Sequence, residues 1–317
     1  MNSRRLACVL GVVLWCVSLS GLCAPLDQAY ERVRATFAQK APLAPNPPVL
    51  NGDWQPAPFD PAPYTFTVEE VRANWNQFMR GLRLPYPSAD YLRARYQRFP
   101  DLYRDLRYQD DDWEQHSRNV LEVWQAFFRG DFRQARDLGR RYGGYARVPA
   151  VVAQIVYATY LAPTHEQKQQ LLQEAINDMA WFGETMVVLP GDQALEADYC
   201  MMRLGFGYAV ARLAEDESVP ATLQRNYAAM VINAATEMLA VEPEHPLALS
   251  LSAAFEANVL RRVGKTAGKF ALAADSEDAI APFEMALRQQ NDLAIVRYEY
   301  ANSLLYTFQE EALSRAL

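Results

Sequence analysis

The chain has 317 residues, half of them hydrophobic, and a formal net charge of −7. This length allows one large domain or two smaller ones with a substantial core. The acidic balance argues against nucleic acid as the main partner, and the low count of 14 glycines favours helices over a strand-and-turn architecture.

Residues 1–24 have the pattern of a secretory signal peptide. Arg4 and Arg5 form a basic start, an apolar run covers 6–19, and small residues lead to a predicted cleavage site near Ala24. The apolar run is short for a membrane span, which needs roughly 20 residues, so a retained anchor is the less favoured interpretation. We therefore expect a periplasmic or secreted protein without a stable membrane span after cleavage.

Cleavage would change both the charge and the cysteine count. It removes two basic residues and no acidic ones, so the formal net charge falls from −7 to −9. Of the cysteines at positions 8, 16, 23 and 200, only Cys200 clearly remains. No disulfide within the chain is then available, and packing must supply the stability.

Residues 25–66 are predicted to form one helix, over 25–39, and then an extended proline-rich linker. Eight prolines lie between Pro42 and Pro63, and proline fixes φ and removes backbone donors. The alternative is that this stretch lies along the folded body. In that case its aromatic residues are the candidate anchors, namely Trp54, Phe59 and Tyr64.

Residues 67–109 are predicted to form short helices that pack on the rest of the chain. Thr67 and Glu70 have the spacing of a capping box, and apolar residues follow at helical period. Two further short helices are predicted over 88–99 and 100–108.

Arg129, Gly130 and Asp131 form the tripeptide Arg-Gly-Asp, which some cell-surface receptors bind. The residues on either side have apolar side chains at helical period. Glycine tolerates the left-handed conformation that ends a helix, and aspartate is a preferred cap for the next one. We therefore predict a corner between two helices and not an adhesion site.

Residues 110–317 contain helical segments separated by short breaks, and we find no convincing strand. Several segments have small and large residues at the spacing of a helix–turn–helix repeat of about 34 residues. They are GDFRQA at 130–135, CMMRLGFGY at 200–208, TEMLAVEPEHPLA with Pro243, DAIAPFEMAL at 278–287 and VRYEYANSLLY with Ala301. Small residues are needed where two helices cross closely, and large ones fill the gaps beside them.

In these motifs the chain resembles the tetratricopeptide-repeat (TPR) family, over about residues 110–317. The resemblance implies an all-α fold, an α–α superhelix or TPR-like solenoid of about five helix pairs, preceded by the extended proline-rich segment and the short helices. The unit from Pro246 to Asn291 has 46 residues, so it departs from the pattern by an insertion after its first helix. Overall the chain is similar to exported TPR-like proteins of Gram-negative bacteria.

The concave face of such a solenoid typically receives an extended ligand. By the repeat register, the residues that point to this face are Tyr199, Met202, Phe206, Tyr298 and Asn302. This mixture of aromatic and amide side chains suits a peptide better than a phosphate. Chaperone-binding members of the family hold a carboxylate with lysine and asparagine, but Tyr298 stands at the lysine position, so that clamp is not carried over.

The insertion after the first helix of the long unit is rich in basic residues. They are Arg261, Arg262, Lys265 and Lys269. One interpretation is a solvated loop whose charges are answered by nearby acidic residues. The other is a lip over the groove that contacts an acidic or carboxylate-bearing ligand.

No catalytic motif stands out in the sequence. His116, His165 and His245 lack metal-ligand spacing, and Gly-Lys-Thr at 264–266 lacks the first glycine of a phosphate-binding loop. We therefore predict no catalysis, no cofactor and no metal.

Two functions from different classes fit these observations. The first is a periplasmic scaffold that binds a protein or peptide on its concave face. The alternative is an accessory, ligand-binding component of an uptake system for a small molecule such as an organic acid or a lipidic ligand, resembling the TPR proteins associated with TRAP transporters. An enclosed apolar cavity would favour the second function, and an open concave face the first.

Overall fold

The computed structural model describes residues 54–103, 106, 112–185, 193–264 and 276–308. These residues are all-helical and contain no strand, which confirms the predicted all-α class. The predicted signal at 1–24, the helix at 25–39, and Lys265 and Lys269 lie outside the described residues.

The helices are numbered here in chain order. They are α1 (Val68–Ala73), α2 (Trp75–Phe78), α3 (Ala89–Arg98), α4 (Trp113–Phe128), α5 (Phe132–Tyr142), α6 (Arg147–Tyr160), α7 (His165–Thr185), α8 (Gln193–Ala214), α9 (Val219–Gln224), α10 (Tyr227–Val241), α11 (Pro246–Val263), α12 (Ser276–Gln289) and α13 (Ala294–Phe308). None of the helices in the described ranges combines the length and apolar character that a bilayer crossing requires.

The described helices belong to two compact units. The amino-terminal unit ends at Glu215 and contains α1–α8, and the carboxy-terminal unit begins at Asp216 and contains α9–α13. The boundary falls inside the range 110–317, which the sequence assigned to one repeat domain.

In the amino-terminal unit, each helix from α4 to α8 packs against the next one in the chain. In addition, α4 contacts α6, and α6 contacts α8. Two of the short helices predicted after Thr67 are present, the first divided into α1 and α2 and the second as α3, and both α1 and α3 contact α4. Where a third helix was predicted over 100–108, the described residues form a 3₁₀ turn at Pro100–Tyr103, which contacts α7. The core between these helices is filled by large buried side chains such as Trp124 and Met179.

Local capping signals set the starts of α1 and α5. The Thr67 hydroxyl accepts a hydrogen bond from the Glu70 backbone N–H, and the Glu70 carboxylate accepts one from the Thr67 N–H, which completes the predicted capping box. Gly130 has a φ of 80°, and the Asp131 carboxylate accepts from the Gln134 N–H at 3.2 Å. The Arg-Gly-Asp tripeptide is therefore the corner between α4 and α5, as predicted.

In the carboxy-terminal unit, α11 is the central helix. It contacts α10, α12 and α13, and α12 also contacts α13. Phe283 of α12 is fully buried and stacks on Tyr300 of α13 with ring centroids 5.3 Å apart. Ala257 and Ala286 are fully buried as well, which agrees with small residues at close helix crossings.

Candidate functional site

The proline-rich residues 54–66, which we call the strap, pack on helices of the amino-terminal unit. At one end, the ring of Trp54 stacks on Tyr157 of α6 with centroids 3.9 Å apart and an interplanar angle of 20°. The next residue, Gln55, donates its backbone N–H to the Tyr157 Oη at 2.9 Å. At the other end, the Gln125 amide of α4 donates to the Phe66 carbonyl at 2.7 Å. Residues 54–66 therefore lie along the folded body, as in the second interpretation, whereas the rest of the proline-rich stretch lies outside the described residues.

The middle of the strap rests on the corner between α4 and α5. A Cβ added to Gly130 would lie 2.6 Å from the Ala57 Cβ and 2.6 Å from the Phe59 Cζ, so the glycine backbone touches the strap directly. Phe59 is nevertheless 43% exposed and Tyr64 is 49% exposed. Trp54 is therefore the aromatic anchor that packs most closely on the helices.

A buried polar network lies beneath Trp54. The Arg136 guanidinium of α5 is only 2% exposed, and its carbon lies 5.8 Å from the centroid of the Trp54 ring. Arg136 donates from Nε to the Gln154 Oε1 at 2.8 Å and from Nη2 to the Glu174 Oε2 at 3.3 Å. Gln154 in turn donates to the Leu171 carbonyl at 2.8 Å. These bonds join α5, α6 and α7 and fix the surface on which the strap lies.

Two further arginines extend this network. Arg140 lies 3.5 Å from Glu174 and 3.5 Å from Asp178, and Arg147 lies 3.2 Å from Asp178. Burial and the neighbouring Arg136 charge lower the pKa of Arg140, although an arginine remains protonated at neutral pH. Because each carboxylate serves two arginines, the network ties α5, α6 and α7 together beyond the Arg136 site.

A second buried cluster joins α3 to α8. Arg95 and Asp198 are both buried and form an ion pair. Asp198 also accepts hydrogen bonds from the hydroxyls of Tyr91 and Tyr145, the latter at 2.7 Å. The Arg95 guanidinium carbon lies 4.9 Å from the centroid of the Tyr145 ring, within the range of a cation–π contact.

Burial controls ionisation in this second cluster. It raises the pKa of the Asp198 carboxyl, while Arg95 and the two tyrosine hydroxyls act to lower it. Burial also raises the pKa of Tyr103 to about 12 and the pKa values of Tyr91 and Tyr145 well above the ordinary value. All three tyrosines are therefore protonated at neutral pH, and Tyr91 and Tyr145 donate to Asp198.

A small cavity borders the second cluster. Its volume is about 10 Å³, and Tyr103, Gly144 and Met202 are among its lining residues. This is room for about one water molecule and is far too small for an organic substrate. We therefore interpret the Arg95–Asp198 pair as a structural ion pair that holds α3 against α8.

The predicted binding residues on α8 are part of the core. Tyr199, Met202 and Phe206 are all buried, so the expectation that they point to an open face is wrong. The helix packs against α7 and α6, and Met202 lines the small cavity. Large apolar side chains at helical spacing serve here to fill the interior.

The predicted binding residues on α13 are accessible. Tyr298 is 52% exposed, Asn302 is half-buried one turn later, and the exposed Leu305 continues the same helix face. These residues belong to the carboxy-terminal unit, whereas the α8 residues belong to the other unit. Binding of a ligand by Tyr298 and Asn302 stays a prediction.

The two described basic residues at the end of α11 have different surroundings. Arg261 is exposed and donates to the Asn258 side chain at 3.1 Å. Arg262 is half-buried, and its Nη2 donates to the Glu217 carbonyl at 2.9 Å. Arg262 therefore helps to hold the end of α11 within its own unit. The lip over the groove stays a prediction, since Lys265 and Lys269 lie outside the described residues.

The sequence interpretation did not include Arg95, Asp198 or Arg136. One signal was available for the arginines. Arg95 lies three residues after Leu92 and four before Phe99, and Arg136 lies four after Phe132, so both stand on the apolar stripe of their helix. A charged residue at such a position is rarely buried unless it is paired.

Within the ranges that the structure describes, no group of three or more His, Cys, Asp or Glu side chains could hold a metal ion. No protein-family model, curated protein or solved structure matches the chain.

Proposed function

We propose that the chain is an exported helical-repeat scaffold that binds an extended peptide segment of a partner protein. The observation that carries this proposal is the strap. It is an irregular proline-rich segment with a 3₁₀ turn at Ala62–Tyr64. It is held on α4 and α6 by ring stacking and by hydrogen bonds between side chains and its backbone, and it touches the corner between α4 and α5. Contacts of this kind do not depend on a long matching sequence, and they are typical of surfaces that receive extended peptides.

The packing of alternate helices supports a TPR-like arrangement. In a solenoid of helix pairs, the first helices of successive pairs pack side by side. The pairs α4/α5 and α6/α7 fit this rule, because α4 contacts α6 and α6 contacts α8. The pair α11/α12 fits it too, because α11 contacts α13. The signal pattern at residues 1–24 supports export.

The small cavity beside Arg95 does not offer the kind of site that the alternative function needs. An uptake accessory for an organic acid or a lipidic ligand needs a pocket of a few hundred Å³ or more. The cavity beside Arg95 has a volume of about 10 Å³. The same observation supports a structural, non-catalytic role for the Arg95–Asp198 cluster.

A peptide-array screen combined with native mass spectrometry tests this proposal. The purified mature protein is screened against extended peptides that contain an aromatic residue followed by prolines, and against matched peptides in which alanine replaces the aromatic residue. We expect binding to the first set and weaker binding to the second. Absence of binding to either set, together with a co-purifying small molecule in the mass spectrum, would contradict the scaffold and support the uptake accessory.

A further inference from the structure

We infer that the strap occupies in cis the surface that receives the partner, and that the partner supplies a segment of the same chemistry, an aromatic side chain followed by prolines in a stretch without a regular helix or strand. This inference rests on the proposed function. It goes further by locating the binding surface on α4, α5 and α6 and by describing the ligand.

The surface contacts features of the strap that many other protein segments also carry. Tyr157 offers a ring face to Trp54 and a hydroxyl oxygen to the N–H of the following residue. Gly130 offers bare backbone to the small side chain of Ala57. Because these contacts need only a ring, a backbone N–H and a small residue in the right order, a segment of another protein can make them equally well.

The strap is held lightly between its two ends. Ala57 is half-buried, whereas Gln55, Pro56 and all residues from 58 to 65 are exposed. A segment with so few buried side chains belongs to the low-stability parts of a fold, which open more often than the core. The strap can therefore leave the surface without unfolding the helices beneath it.

The surface under Trp54 is built to be covered. Tyr157 is fully buried with Trp54 stacked on its ring, and Arg136 is buried with its guanidinium near the same indole. Removing the indole exposes the apolar face of a ring and the edge of the polar network. An incoming aromatic side chain restores both contacts, whereas a polar side chain does not.

Tethering gives the strap a competitive advantage over a free ligand. A short tether holds it near the surface at a high effective concentration. The apparent affinity for a partner is then lower than the affinity of the open surface, by a factor equal to the fraction of molecules in which the surface is open. Weakening the strap while leaving the surface intact must therefore increase the affinity for a peptide added in trans.

The test uses the full mature chain and a labelled synthetic peptide with the sequence of residues 54–66. Binding is followed by fluorescence anisotropy. Trp54→Ala weakens the strap, and Tyr157→Ala in the same background removes the stacking surface. Tyr64→Ala is the matched control, because it removes an aromatic ring of the strap that packs on Phe59 and is half exposed.

We expect the Trp54→Ala protein to bind the peptide about tenfold or more tightly than wild type. Tyr64→Ala should behave like wild type, and Trp54→Ala/Tyr157→Ala should lose the gain. Equal affinity of Trp54→Ala and wild type would overturn the inference, and so would a gain that survives the loss of Tyr157.

A second variant keeps the test valid if Trp54→Ala folds poorly. Gln55→Pro removes the N–H that bonds to Tyr157 and leaves Trp54 and the helical surface in place. Gln55→Pro should increase the affinity for the added peptide less than Trp54→Ala does, and its circular dichroism spectrum should be unchanged. If array peptides bind independently of Tyr157, the scaffold function stands and this inference fails. If no peptide binds to any variant, both fail.

Discussion

Gly130 meets two structural demands at the corner between α4 and α5. Its φ of 80° is strained for an L-residue, and its missing side chain lets Ala57 and Phe59 of the strap approach the backbone. The glycine is buried, and the aspartate beside it caps α5. Each residue of the Gly-Asp pair thus has a geometric reason to be present, and no adhesion role is needed to explain the tripeptide.

Asp131→Ala should lower the free energy of unfolding by about 1 kcal/mol, because the substitution removes the side-chain acceptor for the Gln134 N–H. Urea denaturation measures the change. Asp131→Asn is the control and should retain most of the stability, since asparagine caps equally well, whereas Asp131→Glu keeps the charge and should cap poorly. Full stability of the alanine variant together with loss of partner binding would mean that the corner is a recognition site.

Tyr103 should make the protein sensitive to alkali. An unfolded tyrosine loses its proton near pH 10, whereas burial raises the pKa of the folded Tyr103 to about 12. Below pH 10 both states are protonated and there is no effect. Between pH 10 and 12 the folded state binds more protons, so stability falls as pH rises, by about 3 kcal/mol for this residue.

Urea denaturation across this pH range compares wild type with Tyr103→Phe. The variant should lose less stability over the same interval, and part of the loss should remain because the pKa values of Tyr91 and Tyr145 are raised as well. Parallel loss in both proteins would show that Tyr103 ionises equally easily in the folded and unfolded states.

At the scale of whole elements, the sequence predicted those features that depend on neighbouring residues. The capping box at Thr67 and the corner at Gly130 involve residues within four positions of each other, so their patterns are visible in the chain. From the sequence, the anchoring of the strap on the folded body could be predicted only as one of two alternatives, the other being an extended linker. Aromatic residues among prolines indicate possible anchors but not the surface that receives them.

The long-range pairs were not predictable in this way. Arg95 and Asp198 are 103 positions apart, and Arg136 and Glu174 are 38 apart. No local pattern names the partner of a buried arginine. For the same reason Tyr199 and Met202 were predicted on an open face, because helical period does not reveal which helix covers a given side.

Gly139 and Gly205 both lie at close contacts between helices, but the atoms that limit a larger side chain differ between them. A Cβ at Gly139 of α5 would lie 2.4 Å from the Ala146 carbonyl oxygen and 2.5 Å from the Ala150 Cβ. A Cβ at Gly205 of α8 would lie 2.8 Å from the Met179 Cε, which is the flexible end of a side chain.

Gly139→Ala should therefore destabilise the protein by about 1–3 kcal/mol, because backbone atoms must move to accept the methyl group. Gly205→Ala is the matched control and should be neutral or stabilising by up to about 1 kcal/mol, since alanine favours the helix and Met179 can adjust. Thermal unfolding of both variants measures this. A stabilising Gly139→Ala would contradict the close approach of α5 and α6.

At the scale of the whole molecule, the described helices form two compact units, each with its own buried side chains. The strap, the Arg136 network and the Arg95–Asp198 pair all belong to the amino-terminal unit. Tyr298 and Asn302 of α13 belong to the other one. The proposed peptide surface therefore belongs to a different unit from the residues that the repeat register predicted on α13.

Phe283→Ala tests whether the units are stabilised independently. Loss of this fully buried ring should cost about 3–5 kcal/mol. By hydrogen exchange, amides in α10–α13 should lose protection, whereas those in α4–α8 should keep it. Arg288→Ala, at an exposed position of the same helix, is the control and should change neither set. Equal loss in both units would show that they unfold as one.

The claim that α5 and α6 carry a peptide-binding surface is tested most directly by photo-crosslinking. The probe is the peptide of residues 54–66 with a benzophenone amino acid in place of its tryptophan, irradiated with the Trp54→Ala protein and mapped by mass spectrometry. We predict crosslinks to α5 and α6, at Tyr157 or next to Arg136. Crosslinks confined to α13 around Tyr298, or scattered without preference over both units, would contradict the account.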